Sequence, residues 1–129
     1  KDTVKITTAA DALPLLADIA GKQQKHFLCI SLNGANEVIE RRTVTIGLLD
    51  RSQVHPREVF ADVIADRAAA VIFAHNHPSG DLQPSAADLK VHEQLAQADG
   101  ILGIRVLDHI IVAKTGQFSF QAAGLIGSC

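Results

Sequence analysis

Residues 69–88 read AAVIFAHNHPSGDLQPSAAD, and the fold turns on how this stretch divides. The apolar run over 69–74 is too short for most helices and reads as a buried strand. His75 and His77 follow it directly. Pro78, Gly80 and Pro84 then turn the chain, and Ser85 opens a helical pattern that carries Asp88 in its first turn. Side chains two apart on an extended chain point the same way, so His75 and His77 can aim both imidazoles at one point. Asp88 can reach back from the helix start towards the strand end. Two neutral imidazoles and a carboxylate make a mixed N/O set suited to zinc, with a fourth position open for water. A metal held in this way acidifies the water and polarises a carbonyl, as amide hydrolysis requires. The same residues have a plainer reading. Ser85-x-x-Asp88 is also a capping box, and a solvated polar loop accounts for the two histidines without a metal.

Outward from this stretch, helices and strands alternate. Residues 8–20 place Leu13, Leu15, Leu16 and Ile19 at roughly helical spacing before Gly21. HFLCISL (26–32) suits a buried strand, NGAN a turn, and Val38 to Ile46 a β-branched partner strand in a hairpin. Residues 55–69 predict a helix with Pro56 in its first turn and Val59, Phe60, Val63 and Ile64 facing inward. Ser85 to Ala98 predicts another, with Leu89, His92, Leu95 and Ala96 on one side and Gly100 as its stop. Residues 102–113 give one long strand or two short ones, and QFSF after the KTG turn a last hairpin arm. The βαβ spacing is irregular and hairpins are frequent, which indicates an α/β or α+β sandwich.

The chain has 129 residues, 47% of them apolar, and fits one domain over 1–129. Its formal charge of −2 offers no basic field for a nucleic-acid backbone, so strong nucleic-acid binding by this segment is not expected. Two cysteines make no disulfide framework and suit a reduced, cytoplasmic setting. No apolar stretch reaches the roughly 18 to 20 residues of a membrane span. The chain contains no Met and starts at Lys1, so it is expected to be the C-terminal part of a longer protein.

The stretch HNHPSGDLQPSAAD resembles the JAMM signature of MPN/JAB-domain metalloproteases: H-x-H-P, six residues, then S-x-x-D. HFLCISLN, VHPREVF, AHNHPSG and LDHIIV together look like the bacterial RadC branch of that family. The resemblance implies a JAB/MPN-like mixed β-sheet flanked by helices, a three-layer sandwich of the cytidine-deaminase-like kind. It implies Zn2+ held by the residues matching His75, His77 and Asp88, with Ser85 helping to stabilise an oxyanion at a helix N-terminus. JAMM proteases also use a glutamate as general base. In RadC-like sequences it would stand just before the segment matching HFLCISL, where this chain has Lys25. Lysine is no carboxylate base, and its charge would compete with the metal.

Glu58 is the best substitute, if the 55–69 helix starts at the end of the sheet where His75 leaves. Its plain alternative is an acid favoured by a helix N-terminus. Glu37 and Glu40 are expected to be solvated, His55 to be a helix-entry residue, His92 to pack on its helix, and Arg57 to form a surface ion pair, with contact to a substrate carboxylate or carbonyl as its alternative. Asp108 and His109, neighbours on a strand, point to opposite faces, so one is expected to be buried in a hydrogen bond, with a place directly behind the metal ligands as the lesser alternative. The leading expectation is a zinc-dependent hydrolase cleaving peptide or isopeptide bonds in a peptide or protein substrate, with a homodimer allowed. The alternatives are a DNA-repair accessory module, the role for which RadC proteins are named, and a metal-binding scaffold weakened by Lys25.

Overall fold

The computed structural model describes residues 5–7, 9–46 and 56–125. Its strands are β1 (His26–Leu32), β2 (Val38–Ile46), β3 (Ala70–Asn76), β4 (Arg105–Ala113) and β5 (Gly116–Ser119). The helices are α1 (Ala9–Ala12), running into a 3-10 turn at Leu13–Leu15, then α2 (Pro56–Ala65) and α3 (Ala86–Leu102). The strands form one mixed sheet in the order β2-β1-β3-β4-β5. β3 and β4 run parallel, which requires a crossover, and α3 supplies it; the other pairs are antiparallel.

Strand alternation splits the core into two layers. Phe27, Cys29, Val71 and Phe73 face α2 and α3, where Val59, Phe60, Val63, Val91 and Leu95 cover them. Leu28, Ile30, Leu32, Ile72, Ala74 and Ile110 face the N-terminal segment through Ile6, Ala12, Leu16 and Ile19. The sheet is therefore sandwiched, as expected, with one thin layer. The helix expected over 8–20 shrinks to a four-residue α1 and a 3-10 turn. Pro14 has no N–H to give to an α-helical ladder, and the chain tightens into the 3-10 turn there.

Three other expectations shift. Ile64 is 53% exposed and Leu89 42%, so the inward face of α3 is Asp88, Val91, His92 and Leu95. α3 passes through Gly100 and ends at Gly103, whose φ of 75° closes the helix in the left-handed region. β3 continues beyond residue 74, so His75 lies within the strand. Among the described residues, no helix is long and apolar enough to cross a membrane. Cys29 is a buried free thiol that burial pushes up to about 12, which removes it from thiolate chemistry at neutral pH.

Candidate metal centre

His75 shares strand parity with Phe73, so it points to the α2/α3 side of the sheet. His77 lies just past the strand, its backbone N–H donating to the Val112 carbonyl at 3.0 Å. The chain then folds back on itself. Gly80, at φ 88°, takes a left-handed conformation that few other residues adopt readily, and Thr115 Oγ1 donates to its carbonyl. Ser85 caps α3: its hydroxyl accepts from the Asp88 N–H at 3.0 Å, while its own N–H donates to Asp88 Oδ2 at 2.9 Å. The capping box thus holds Asp88 on the first turn with its carboxylate turned inward.

These elements bring His75, His77 and Asp88 together, with one possible ligand atom from each within 4.8 Å of the others. His75 Nε2 lies 3.2 Å from His77 Nε2 and 3.4 Å from Asp88 Oδ1. His77 Nε2 lies 2.8 Å from Asp88 Oδ2. Ligands of a tetrahedral zinc with bonds of ~2.0–2.1 Å are roughly 3.3–3.4 Å apart, and the two imidazole nitrogens, 3.2 Å apart, are close to that spacing. His75 and Asp88 are wholly buried and His77 almost so.

The donor chemistry also fits a cation. His77 Nδ1 donates to the Asp81 carbonyl at 2.6 Å, and a carbonyl can only accept. A ring with its single hydrogen on Nδ1 turns a lone pair on Nε2 towards a carboxylate oxygen. That contact is favourable only with a proton or a metal ion between the two atoms. Burial depresses the basicity of His75, which keeps it neutral and able to ligate. Burial opposes the charge on Asp88. The nearby His75 imidazole, the Ser85 backbone N–H and the Lys25 ammonium outweigh it and hold the carboxyl well below the usual carboxylate range.

Lys25 stands at the mouth of this cluster, its Nζ 3.0 Å from Asp88 Oδ1 and its side chain 20% exposed. The register explains why. Phe27 pairs with His75 across β1 and β3, so residue 25 continues that line beside His77. Asn76, between the two histidines, fixes the approach. Its Oδ1 accepts from the His26 N–H at 2.6 Å, and its Nδ2 donates to the carbonyls of Lys22 and Gln24. The residue read as a spacer in H-N-H thus ties down the segment carrying Lys25. Ser85 is exposed at the same opening.

Glu58 is elsewhere. It is exposed on the first turn of α2 and lines a cavity with Cys29, Arg42, Thr43, Val59 and Asp62, and no residue of the metal cluster lines that cavity. Arg57 is exposed, and His55 lies outside the described residues. Glu40 is exposed, whereas Glu37 is half-buried and accepts from Asn33 in the hairpin turn.

Asp108 and His109 are both buried. Asp108 accepts from Ser119 Oγ at 2.6 Å and from the backbone N–H groups of His109 and Gln121, tying β4 to β5. His109 Nε2 lies 2.9 Å from His75 Nδ1, directly behind the cluster. His92 is not simply helix packing, since its Nδ1 lies 3.0 Å from His109 Nδ1. The sequence signal for His109 was available but needed strand order. Phe73 pairs with His109 across β3 and β4, which gives His109 the same face as His75.

The chain matches the family described as "RadC-like JAB domain" over residues 6–125. It is 51% identical over 128 residues to a UPF0758 protein of Methanospirillum hungatei, covering 98% of this chain and 57% of the relative. It is 48% identical to a UPF0758 protein of Rubrobacter xylanophilus, covering 94% and 53%, and 45% identical to one of Shouchella clausii, covering 95% and 54%. The chain spans about half the length of these curated relatives. A match over almost the whole chain, on the sheet and helices that carry the His75–His77–Asp88 cluster, makes it a member of the RadC-like JAB domain family.

Proposed function

We propose that this domain is a zinc-binding hydrolase unit of the JAMM type, built to act on peptide or isopeptide bonds, with Lys25 in the place of the general base. The observation that carries the reading is the convergence of two imidazoles and a carboxylate in a buried site, with one possible ligand atom from each within 4.8 Å of the others. Zinc bound there would supply a Lewis acid for a carbonyl and lower the pKa of a water. The chain's own residues would do the rest. His77 is locked by Asp81 in the tautomer that leaves Nε2 free. Ser85 accepts from the Asp88 N–H, so its hydroxyl hydrogen remains available to a developing oxyanion at the open side of the site. The burial of Asp88 and His75 keeps water from competing for the ligand positions.

Lys25 favours a second reading, a metal-binding scaffold with little turnover. Its ammonium contacts Asp88 where a carboxylate would be needed to take a proton, and its charge opposes a cation beside that oxygen. The two readings part on one comparison in zinc-loaded protein. Lys25→Glu should raise peptidase turnover by ~10²–10⁴, the contribution of a positioned base, while zinc content stays the same. Glu58→Gln should change neither. If Glu58→Gln abolishes turnover and Lys25→Glu leaves it unchanged, the base is Glu58. If zinc-loaded Lys25→Glu remains inert, the domain is a scaffold.

A further inference from the structure

Behind the candidate metal centre, a row of imidazoles continues into the core: His75 Nδ1 meets His109 Nε2 at 2.9 Å, and His109 Nδ1 meets His92 Nδ1 at 3.0 Å. His109 is wholly buried, stacked on Phe120 at 4.5 Å and flanked by Phe27 and Phe73. His92, on α3, is 7% exposed and packs its ring on Phe120. Phenylalanine at either position would suit these aromatic neighbours without a polar group to satisfy, so packing alone does not account for two imidazoles here.

Burial holds the rings of His109 and His92 in the neutral form. A neutral imidazole has one N–H and one lone pair, so a row of three can run in only two directions. In one, His75 carries its hydrogen on Nδ1 and donates to His109 Nε2. His109 then donates from Nδ1 to His92 Nδ1, and His92 keeps its hydrogen on Nε2. This direction leaves a lone pair on His75 Nε2. In the other, His75 Nε2 carries the hydrogen and aims it at Asp88 Oδ1, 3.4 Å away, which closes that nitrogen to a metal. His77 needs no such arrangement, because a carbonyl fixes its tautomer outright. His75 meets only another imidazole, whose direction depends on the next.

We propose that His109 and His92 are positioning residues of the metal centre, which orient the His75 ring and complete the hydrogen-bond direction in which its Nε2 ligates. The proposal rests on the metal-binding reading above. It concerns which nitrogen carries each hydrogen, with every ring neutral throughout.

The test uses the full chain with histidine ¹⁵N-labelled, titrated with zinc against a chromophoric chelator. With zinc, His75 and His109 should be protonated at Nδ1 and His92 at Nε2. His109→Phe should keep a native circular-dichroism spectrum yet bind zinc roughly 10- to 100-fold more weakly, the usual effect of losing such a partner. His109→Gln, whose amide both accepts and donates, should recover part of that loss. Should His109→Phe fail to fold, His92→Phe carries the test: it leaves His109 against His75, and should weaken zinc binding and mix the His75 tautomers. Zinc affinity in the folded phenylalanine variant within about twofold of the parent would overturn the proposal, as would His109 protonated at Nε2 in zinc-loaded protein. His75→Ala separates the two levels. Its loss of zinc upholds the centre whatever His109 does, whereas retained zinc overturns the centre and the proposal with it.

Discussion

Asp66 and Asp88 each meet a cation from the β1–β2 side of the molecule, and they differ in what else reaches them. Asp66, just after α2, takes the guanidinium fork of Arg42, with both nitrogens on its two oxygens. Its side chain is 12% exposed and that of Arg42 33%. The fork gives both carboxylate oxygens a charged donor. Asp88 is wholly buried and meets a single ammonium, that of Lys25, while His75 and His77 crowd its oxygens. Around Asp66 donors and acceptors match. Around Asp88 two imidazole nitrogens face the carboxylate beside the donors from Lys25 and Ser85. An ion pair of matched partners is architecture, whereas a buried carboxylate flanked by two imidazoles could hold a metal ion.

The first way to break this contrast is to remove the hydroxyl beside Asp88. In the zinc-loaded Lys25→Glu background, Ser85→Ala should lower kcat by ~10²–10³ through loss of an oxyanion donor. The lost cap should also lower stability by ~0.5–2 kcal/mol in chemical denaturation. An unchanged kcat would leave Ser85 with its capping role alone.

A smaller effect sharpens the role of Lys25. Two unit charges ~4 Å apart at a protein surface interact by roughly 4 kcal/mol before solvent and side-chain relaxation reduce it. Lys25→Met should therefore tighten zinc binding about 10- to 100-fold, read by chelator competition. Unchanged affinity would mean that the ammonium swings clear of Asp88 at no cost.

The smallest effect belongs to the matched pair. The hydrogen bond from Arg42 holds the Asp66 carboxyl below its ordinary 3.8, so the pair stabilises the fold above that pH and loses its contribution as pH falls through the depressed value. Asp66→Asn should cost about 0.5–1 kcal/mol at neutral pH, as partly exposed ion pairs do, and converge with the parent in acid. Zinc affinity should not move. A shift in zinc affinity would show that the two carboxylates are not separate.

Much of this was legible in the sequence because its signals are local. The strand over 70–76, the loop punctuated by Pro78, Gly80 and Pro84, and the cap at Ser85 each follow from backbone preferences within a few residues. Together they set the His75, His77 and Asp88 constellation. The contact of Lys25 with Asp88 was foreshadowed by family register, but the reason for it, Asn76 gripping residues 22–26, is a tertiary hydrogen-bond set with no pattern in the chain. His109 and His92 were read as a buried strand residue and helix packing, because their meeting depends on β4 lying next to β3 and α3 crossing over both. The inward reading of Ile64 and Leu89 failed for a related reason. Helical periodicity gives a stripe, but the neighbouring layer decides which edge of the stripe is covered.

Zinc content per chain tests the central claim most directly. Parent protein, His77→Ala, Asp88→Asn and the Asp66→Asn control would each be loaded with zinc, dialysed thoroughly against metal-free buffer and measured by elemental analysis. The parent and Asp66→Asn should hold about one zinc per chain, and His77→Ala and Asp88→Asn should lose most of it, since ligand loss weakens a three-ligand site far more than it weakens a helix cap. Equal zinc in all four proteins, or none in the parent, would contradict the metal centre.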